Sequence, residues 1–281
     1  MKLWVSALLI AILAPSFSEP AIHFFDSGGV KLAYSVDGEG PPVILIHGFM
    51  LDANFNWRTR GTTEMLARNF RVISLDARGH GQSEKPHDCS SYGVQLAEDV
   101  VRLMNHLQLE RAHVVGYSMG GEIAVKLVTL HPDRLLSVVI GGAGWLRENS
   151  PSHAAYAAFA DMLSALSPGD SIVEAMGGLP NLTDADREVI DANDSRALAV
   201  LSQTALGLAV SERELRLNRV PALSVMGEHD EYREDIEALH KVMSNLSVEV
   251  VVGQNHVGTI SDPNFKDLVE AFLIETSDGV H

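Results

Sequence analysis

Gly116-Tyr117-Ser118-Met119-Gly120 stands between an apolar run, Ala112 to Val115, and a helix-patterned stretch from Gly120 to His131 that Pro132 closes. No other feature constrains the fold as much. A side chain raised on a sharp strand-to-helix turn needs small neighbours, because a Cβ beside it crowds the bend. The same turn sets Ser118 at a helix N-terminus, where unpaired backbone N–H groups and the helix dipole favour developing negative charge. The pentapeptide alone is weak evidence, matched by chance in about one chain in ten of this size. Its flanking elements give it weight.

The rest of the chain follows the same alternation. Ala21 to Phe25 and Lys31 to Val36 read as short strands joined through Asp26-Ser27-Gly28-Gly29, a strong turn signal. Beyond the turn at Gly38-Glu39-Gly40-Pro41-Pro42, Val43 to Ile46 is continuously apolar, as a strand buried on both faces requires. Asn56 to Phe70 is weakly helical, and Arg71 to Leu75 is a strand ending at Asp76. Ser91 opens a helix in which Leu96, Val100, Leu103 and Leu107 form a core-facing stripe, with Glu98 and Asp99 expected to face water. Further strands are expected at Leu135 to Ile140, Ala222 to Met226 and Val248 to Val252, with helices from Asp235 to Met243 and near Asn264 to Ile274. Short apolar strands alternating with helices predict an α/β fold: a mostly parallel eight-stranded sheet flanked by helices.

The alternation lapses between Trp145 and Asn218, where only helical stretches occur. Ser152 to Leu166 is Ala-rich, Thr183 with Asp186 begins a helix, and Asp194 is placed to cap another from Ser195 to Leu208. This segment reads as a helical cap inserted into the sheet domain. Trp145 and Leu146, at its start, are equally suited to lining a pocket and to packing the cap.

At the N-terminus, Lys2 precedes an apolar run from Leu3 to Ala14, broken only by Ser6 and ended by Pro15. Small residues Ser16 and Ser18 precede Glu19, as a leader-peptidase site requires. Twelve residues are too few to span a bilayer comfortably. A buried first element is the competing reading. The expected organisation is an export signal over 1–18, a core over 19–144, a cap over 145–218 and the rest of the core over 219–281, in a periplasmic or secreted protein with no stable membrane insertion after processing. Expression in a Gram-negative host should yield soluble protein beginning near Glu19. An intact mass retaining residue 1 on soluble cytoplasmic protein would count against export.

With 46% hydrophobic and 21% charged residues, the chain is an ordinary globular one. Its formal charge of −16 excludes a nucleic-acid backbone binder, which needs clustered Lys and Arg, and disfavours highly anionic substrates. The single cysteine, Cys89, forms no intramolecular disulfide and has no partner histidine at a familiar nucleophile spacing. His113, His229 and His240 show no zinc-binding spacing, and Arg78-Gly79-His80-Gly81 lacks the Lys-Ser/Thr ending of a phosphate loop. Neither metal nor cofactor is expected.

Several ordered motifs together resemble the α/β-hydrolase family, in particular its capped group of small esterases, meta-cleavage C–C hydrolases and haloperoxidase-like enzymes. They are His47-Gly48-Phe49, Asp76-Ala77-Arg78-Gly79-His80-Gly81-Gln82-Ser83, the Ser118 elbow, Gly227-Glu228-His229-Asp230 and the late His256. The resemblance runs from about Lys31 to Leu273. A serine hydroxyl needs a nearby base, and of the twelve histidines His256 suits best, following the final strand where a loop returns to the carboxyl edge of the sheet. That position matches the family's catalytic histidine, although many relatives carry Gly where this chain has Asn255, a residue tolerant of unusual loop dihedrals.

The resemblance implies Asp230 as the third member, orienting His256. Glu228 and Glu231 lie close enough to leave the register open. It also implies backbone N–H groups of Phe49 and Met119 as oxyanion donors, with Gly48 letting the loop pass closely and both side chains walling the pocket. His47 and Asp76 are expected to brace loops. The expected function is a serine hydrolase, first a carboxylesterase for small or medium uncharged esters. A C–C bond hydrolase or a non-catalytic small-molecule binding protein is the alternative.

Overall fold

The computed structural model describes residues 21–178 and 182–278. The expected export segment, 1–18, lies outside them. Eight strands form one sheet: β1 (His23–Asp26), β2 (Lys31–Asp37), β3 (Pro42–Ile46), β4 (Arg71–Leu75), β5 (Ala112–Tyr117), β6 (Leu135–Gly141), β7 (Ala222–Gly227) and β8 (Leu246–Val251). Their order is β1-β2-β4-β3-β5-β6-β7-β8, with β2 antiparallel to both β1 and β4 and the other pairs parallel. Val43, Ile44, Leu45 and Ile46 are all fully buried, because β3 lies between β4 and β5 with helices over both faces. This is why the segment carries no polar alternation.

Eleven α-helices accompany the sheet among the described residues: α1 (Thr62–Leu66), α2 (Gln95–His106), α3 (Met119–Leu130), α4 (Pro151–Ser164), α5 (Ile172–Ala175), α6 (Asp184–Asp191), α7 (Ser195–Gln203), α8 (Glu212–Arg216), α9 (Arg233–Val242), α10 (His256–Thr259) and α11 (Pro263–Asp278). The helix expected over Asn56 to Phe70 is divided into a π-helical turn, Asn54–Arg58, and α1. Gly61, at φ 78° between them, is left-handed and ends the first piece.

Helices α4 to α8 form the helical cap between β6 and β7. Thr183 and Asp186 make a reciprocal capping box for α6, and the Asp194 carboxylate accepts the Ala197 N–H of α7. Leu163, Ile172, Val173, Ile190 and Leu198 pack with Met50 in a core of the cap's own, so the cap docks on the loop after β3 through apolar contact. Trp145 and Leu146 pack into the main core, where the Trp145 indole N–H donates to Val210 C=O at 2.8 Å. They do not line the cavity beside Ser118.

The α2 stripe corrects one expectation. Glu98 is half-buried and pairs with His131, but Asp99 does not face water. It is 1% exposed, takes the Arg78 guanidinium on both oxygens (Nε to Oδ2 at 2.6 Å) and accepts the Ser27 hydroxyl. The buried Arg78, which also donates to Ser91 C=O, requires a counter-charge, and α2 supplies it. Removing one partner of such a pair leaves an uncompensated buried charge, at a cost of about 3–5 kcal/mol.

Candidate active site

The glycines around Ser118 have measurable reasons. A Cβ on Gly116 would lie 2.0 Å from Gly120 C=O oxygen, and one on Gly120 would lie 2.1 Å from that of Ile46. Backbone at those distances cannot yield, so β5, β3 and the start of α3 approach as closely as they do only with glycine at both positions. Ser118 itself sits at φ 53°, ψ −118°, which a non-glycine residue rarely adopts. Its N–H donates to Gly141 C=O at 2.8 Å and its C=O accepts from Glu122 N–H, so β6 and α3 together hold the strained turn.

Ser118 Oγ lies 3.0 Å from His256 Nε2. His256 Nδ1 lies 3.2 Å and 3.3 Å from the two Asp230 carboxylate oxygens. The serine hydroxyl donates only to an unprotonated Nε2, so the proton of neutral His256 belongs on Nδ1, facing Asp230. Tyr232 stacks edge-on against the imidazole at 4.9 Å. The Tyr117 hydroxyl donates to His256 C=O at 2.5 Å. Gly142, at φ 54°, leaves room for the ring, since a Cβ there would stand 3.0 Å from His256 Cε1.

His256 opens the short α10 rather than lying in an irregular loop. Asn255 is its N-cap at φ −101°, an ordinary extended dihedral, with its side-chain oxygen accepting Gly258 N–H at 2.9 Å. The left-handed residue of the loop is Gly253, at φ 75°. Asn255 is thus explained by capping and not by unusual dihedrals.

Of the three neighbouring carboxylates, only Asp230 is buried and turned to His256. Its Oδ1 also accepts Tyr232 N–H at 2.9 Å. Glu228 is exposed and accepts Gly253 N–H at 2.8 Å, and Glu231 is exposed.

Phe49 lies in a tight turn after β3, where Leu51 N–H donates to Gly48 C=O and Met50 adopts φ 64°. Met50 N–H donates to His80 Nε2 at 3.2 Å. Burial, reinforced by His47 nearby, holds the His80 pKa well below the usual histidine value, which keeps Nε2 an acceptor. His47 Nε2 accepts Ala77 N–H at 3.0 Å while its Nδ1 meets Gly48 C=O, and Asp76 accepts the N–H groups of Ala53 and Gln82. These side chains tie the β3 and β4 loops together.

The Phe49 ring walls a small cavity over Ser118 and contacts Tyr156 and Phe159 of α4 at 5.8 and 5.4 Å. Met119 does not share that wall. Its side chain is 1% exposed and packs in the main core. Its N–H remains among the first of α3, which have no intrahelical acceptor. A Cβ on Gly48 would meet Ser118 Cβ at 3.5 Å, an ordinary contact, so the approach of that loop does not itself demand glycine.

The cavity holds about 40 Å³, with Phe49, Tyr156, Phe159 and Tyr232 as its aromatic lining. Its polar members beside Ser118 are Glu122, Ser152, Tyr156 and Tyr232. Glu122 was not among the expected site residues: a carboxylate in the first turn of a helix reads as a dipole partner, and nothing in the sequence places it beneath α4. Among the described residues no group of histidine, cysteine or carboxylate side chains is arranged to hold a metal, and no helix is long and apolar enough to cross a membrane.

An open parallel sheet with a helical insertion after β6, and a serine on a glycine-pinched strand-to-helix turn, together define a fold class. Residues 41–170 match the alpha/beta hydrolase fold family. The chain is 37% identical over 127 residues to an uncharacterized protein of Mycobacterium tuberculosis, a match covering 44% of this chain and 36% of that one. It thus spans about a third of the length of that curated relative. A 2-hydroxy-6-oxo-6-phenylhexa-2,4-dienoate hydrolase from Rhodococcus superposes with a TM-score of 0.72 at 25% identity, covering 93% of this chain and 99% of that one. A thermophilic esterase from Thermogutta terrifontis superposes at 0.75 with 22% identity, covering 92% and 99%. Other similar structures divide likewise between meta-cleavage product hydrolases and carboxylesterases. The chain has the α/β-hydrolase fold, and the solved structures similar to it include esterases and meta-cleavage (C–C bond) hydrolases.

Proposed function

We propose that the protein is a serine hydrolase acting at the carbonyl of small, uncharged organic compounds. The observation that carries this reading is the hydrogen-bonded chain Ser118 Oγ, His256 Nε2 and Nδ1, Asp230 carboxylate. His256 removes the Ser118 proton as Oγ attacks the carbonyl carbon. The carbonyl oxygen becomes an oxyanion, met by the N–H groups of Phe49 and Met119. His256 then protonates the leaving oxygen, and the alcohol departs from the acyl-enzyme. Water, losing its proton to the same imidazole, attacks the acyl carbon and releases the acid and the free serine. Asp230 remains ionised and stabilises the imidazolium.

Two bond types fit this chemistry. Esters are favoured by the cavity: it is small, aromatic and without a lysine or arginine in its wall, which suits an uncharged acyl group better than an anionic one. Cleavage of a carbon–carbon bond beside a ketone is the second reading, and the similar structures lend it more support than they lend a dedicated carboxylesterase. Labelling of the full chain by a fluorophosphonate at Ser118, followed by turnover of matched esters and vinylogous diketones, tests both. No labelling would defeat the nucleophile and leave a binding protein.

Across p-nitrophenyl esters, kcat/KM should peak between acetate and butyrate and fall about 10- to 100-fold by palmitate, the penalty of forcing a long chain into a filled site. Highest efficiency on palmitate would contradict the small acyl pocket.

A further inference from the structure

Glu122 lies one turn beyond Ser118 on α3, its N–H on Ser118 C=O at 3.1 Å, and its side chain enters the same cavity. It is 5% exposed, and among the described residues no Lys, Arg or His lines the cavity around it. Arg147, the partner of Asp235 at 3.2 Å, also donates to Trp145 C=O. The Tyr156 hydroxyl donates to Glu122 Oε2 at 2.7 Å. Ser152 lines the same cavity, and its hydroxyl donates to Asp235 Oδ2 at 2.7 Å. A buried carboxyl with no counter-charge favours its protonated form, because burial penalises the anion.

Resting on the reading of Ser118 as nucleophile, we infer that Glu122 is a specificity-determining residue: with Tyr156 and Ser152 it forms an uncharged polar wall that receives an oxo or hydroxyl oxygen on the substrate's acyl group and turns away a carboxylate. A protonated Glu122 donates one hydrogen bond to such an oxygen, and Phe49 and Phe159 enclose the carbon skeleton. A substrate carboxylate would enter the same space without a cation to meet it.

The groups facing Glu122 are Tyr156 and Ser152 from α4, Asp235 of α9 with its Arg147 partner, and Tyr232 just ahead of α9. Burial is the largest influence on the Glu122 carboxyl. Tyr156 opposes it, Asp235 adds to it, Ser152 opposes it more weakly, and the balance raises the pKa to about 8. Below that pH the wall is neutral; above it, Glu122 is an anion beside Ser118.

The test compares p-nitrophenyl 4-oxopentanoate with p-nitrophenyl hydrogen succinate, esters of equal chain length ending in a ketone and a carboxylate. The ratio of their kcat/KM values, corrected for spontaneous hydrolysis, cancels every pH effect common to both. In the wild-type protein it should favour the oxo ester and rise about tenfold or more as pH passes through 8. In Glu122→Gln, whose amide still accepts from Tyr156 and carries no charge at any pH, the ratio should stay flat. A flat wild-type ratio, or the same rise in Glu122→Gln, overturns the inference. Should the variant fail to fold, the wild-type profile decides alone. Turnover of p-nitrophenyl acetate separates the two levels: acetate turnover with a flat ratio removes the role of Glu122, whereas no acetate turnover and no fluorophosphonate labelling removes the nucleophile itself.

Discussion

Ser118→Ala and His256→Ala are each expected to lower kcat/KM on any substrate the protein turns over by about 10³-fold or more. The hydroxyl attacks only as its proton passes to Nε2, which lies 3.0 Å away. Either deletion stops the same step, so the double variant should lose little more than the worse single one. Neither residue belongs to a hydrophobic core cluster, and both variants should keep the wild-type thermal unfolding midpoint within a few degrees. Steady-state kinetics beside circular dichroism would read both effects. Near-normal turnover by either folded variant would end the assignment of this pair.

Asp230→Asn should cost about 10²- to 10⁴-fold in kcat, because an amide facing Nδ1 favours the wrong tautomer and does not stabilise the imidazolium. Glu228→Gln should change kcat little, since Glu228 is exposed and meets Gly253 N–H and His229 rather than His256. Glu231→Gln, also at an exposed site, should behave likewise. The ranking is the test: a larger loss at Glu228 or Glu231 than at Asp230 would move the acid to a different register.

These residues differ in how far the sequence alone exposes them. Ser118 is announced by its neighbours, because steric demands at a strand-to-helix turn are local and leave only glycine at Gly116 and Gly120. His256 and Asp230 are found through the order of motifs. Their choice among twelve histidines and three adjacent carboxylates draws on the resemblance as much as on their own surroundings. Periodicity predicts which face of α2 is apolar but not what covers its margins, so Asp99 reads as solvated until Arg78 arrives from a loop 21 positions earlier.

What the sequence determined by itself is whatever depends on short-range stereochemistry and apolar periodicity. That includes the eight strands, their burial between helices, the caps at Thr183 and Asp194, and the pinched turn carrying Ser118. Tertiary structure decided what depends on which surfaces meet. It turned Asp230 and not Glu228 toward His256, seated Met119 in the core while Phe49 walls the cavity, and set α4 over the first turn of α3. Glu122 is an ordinary first-turn carboxylate in one dimension. It becomes a buried, uncharged neighbour of Ser118 only because a helix some thirty residues downstream excludes water from it, and desolvation is a property of the assembled surroundings that no local pattern encodes.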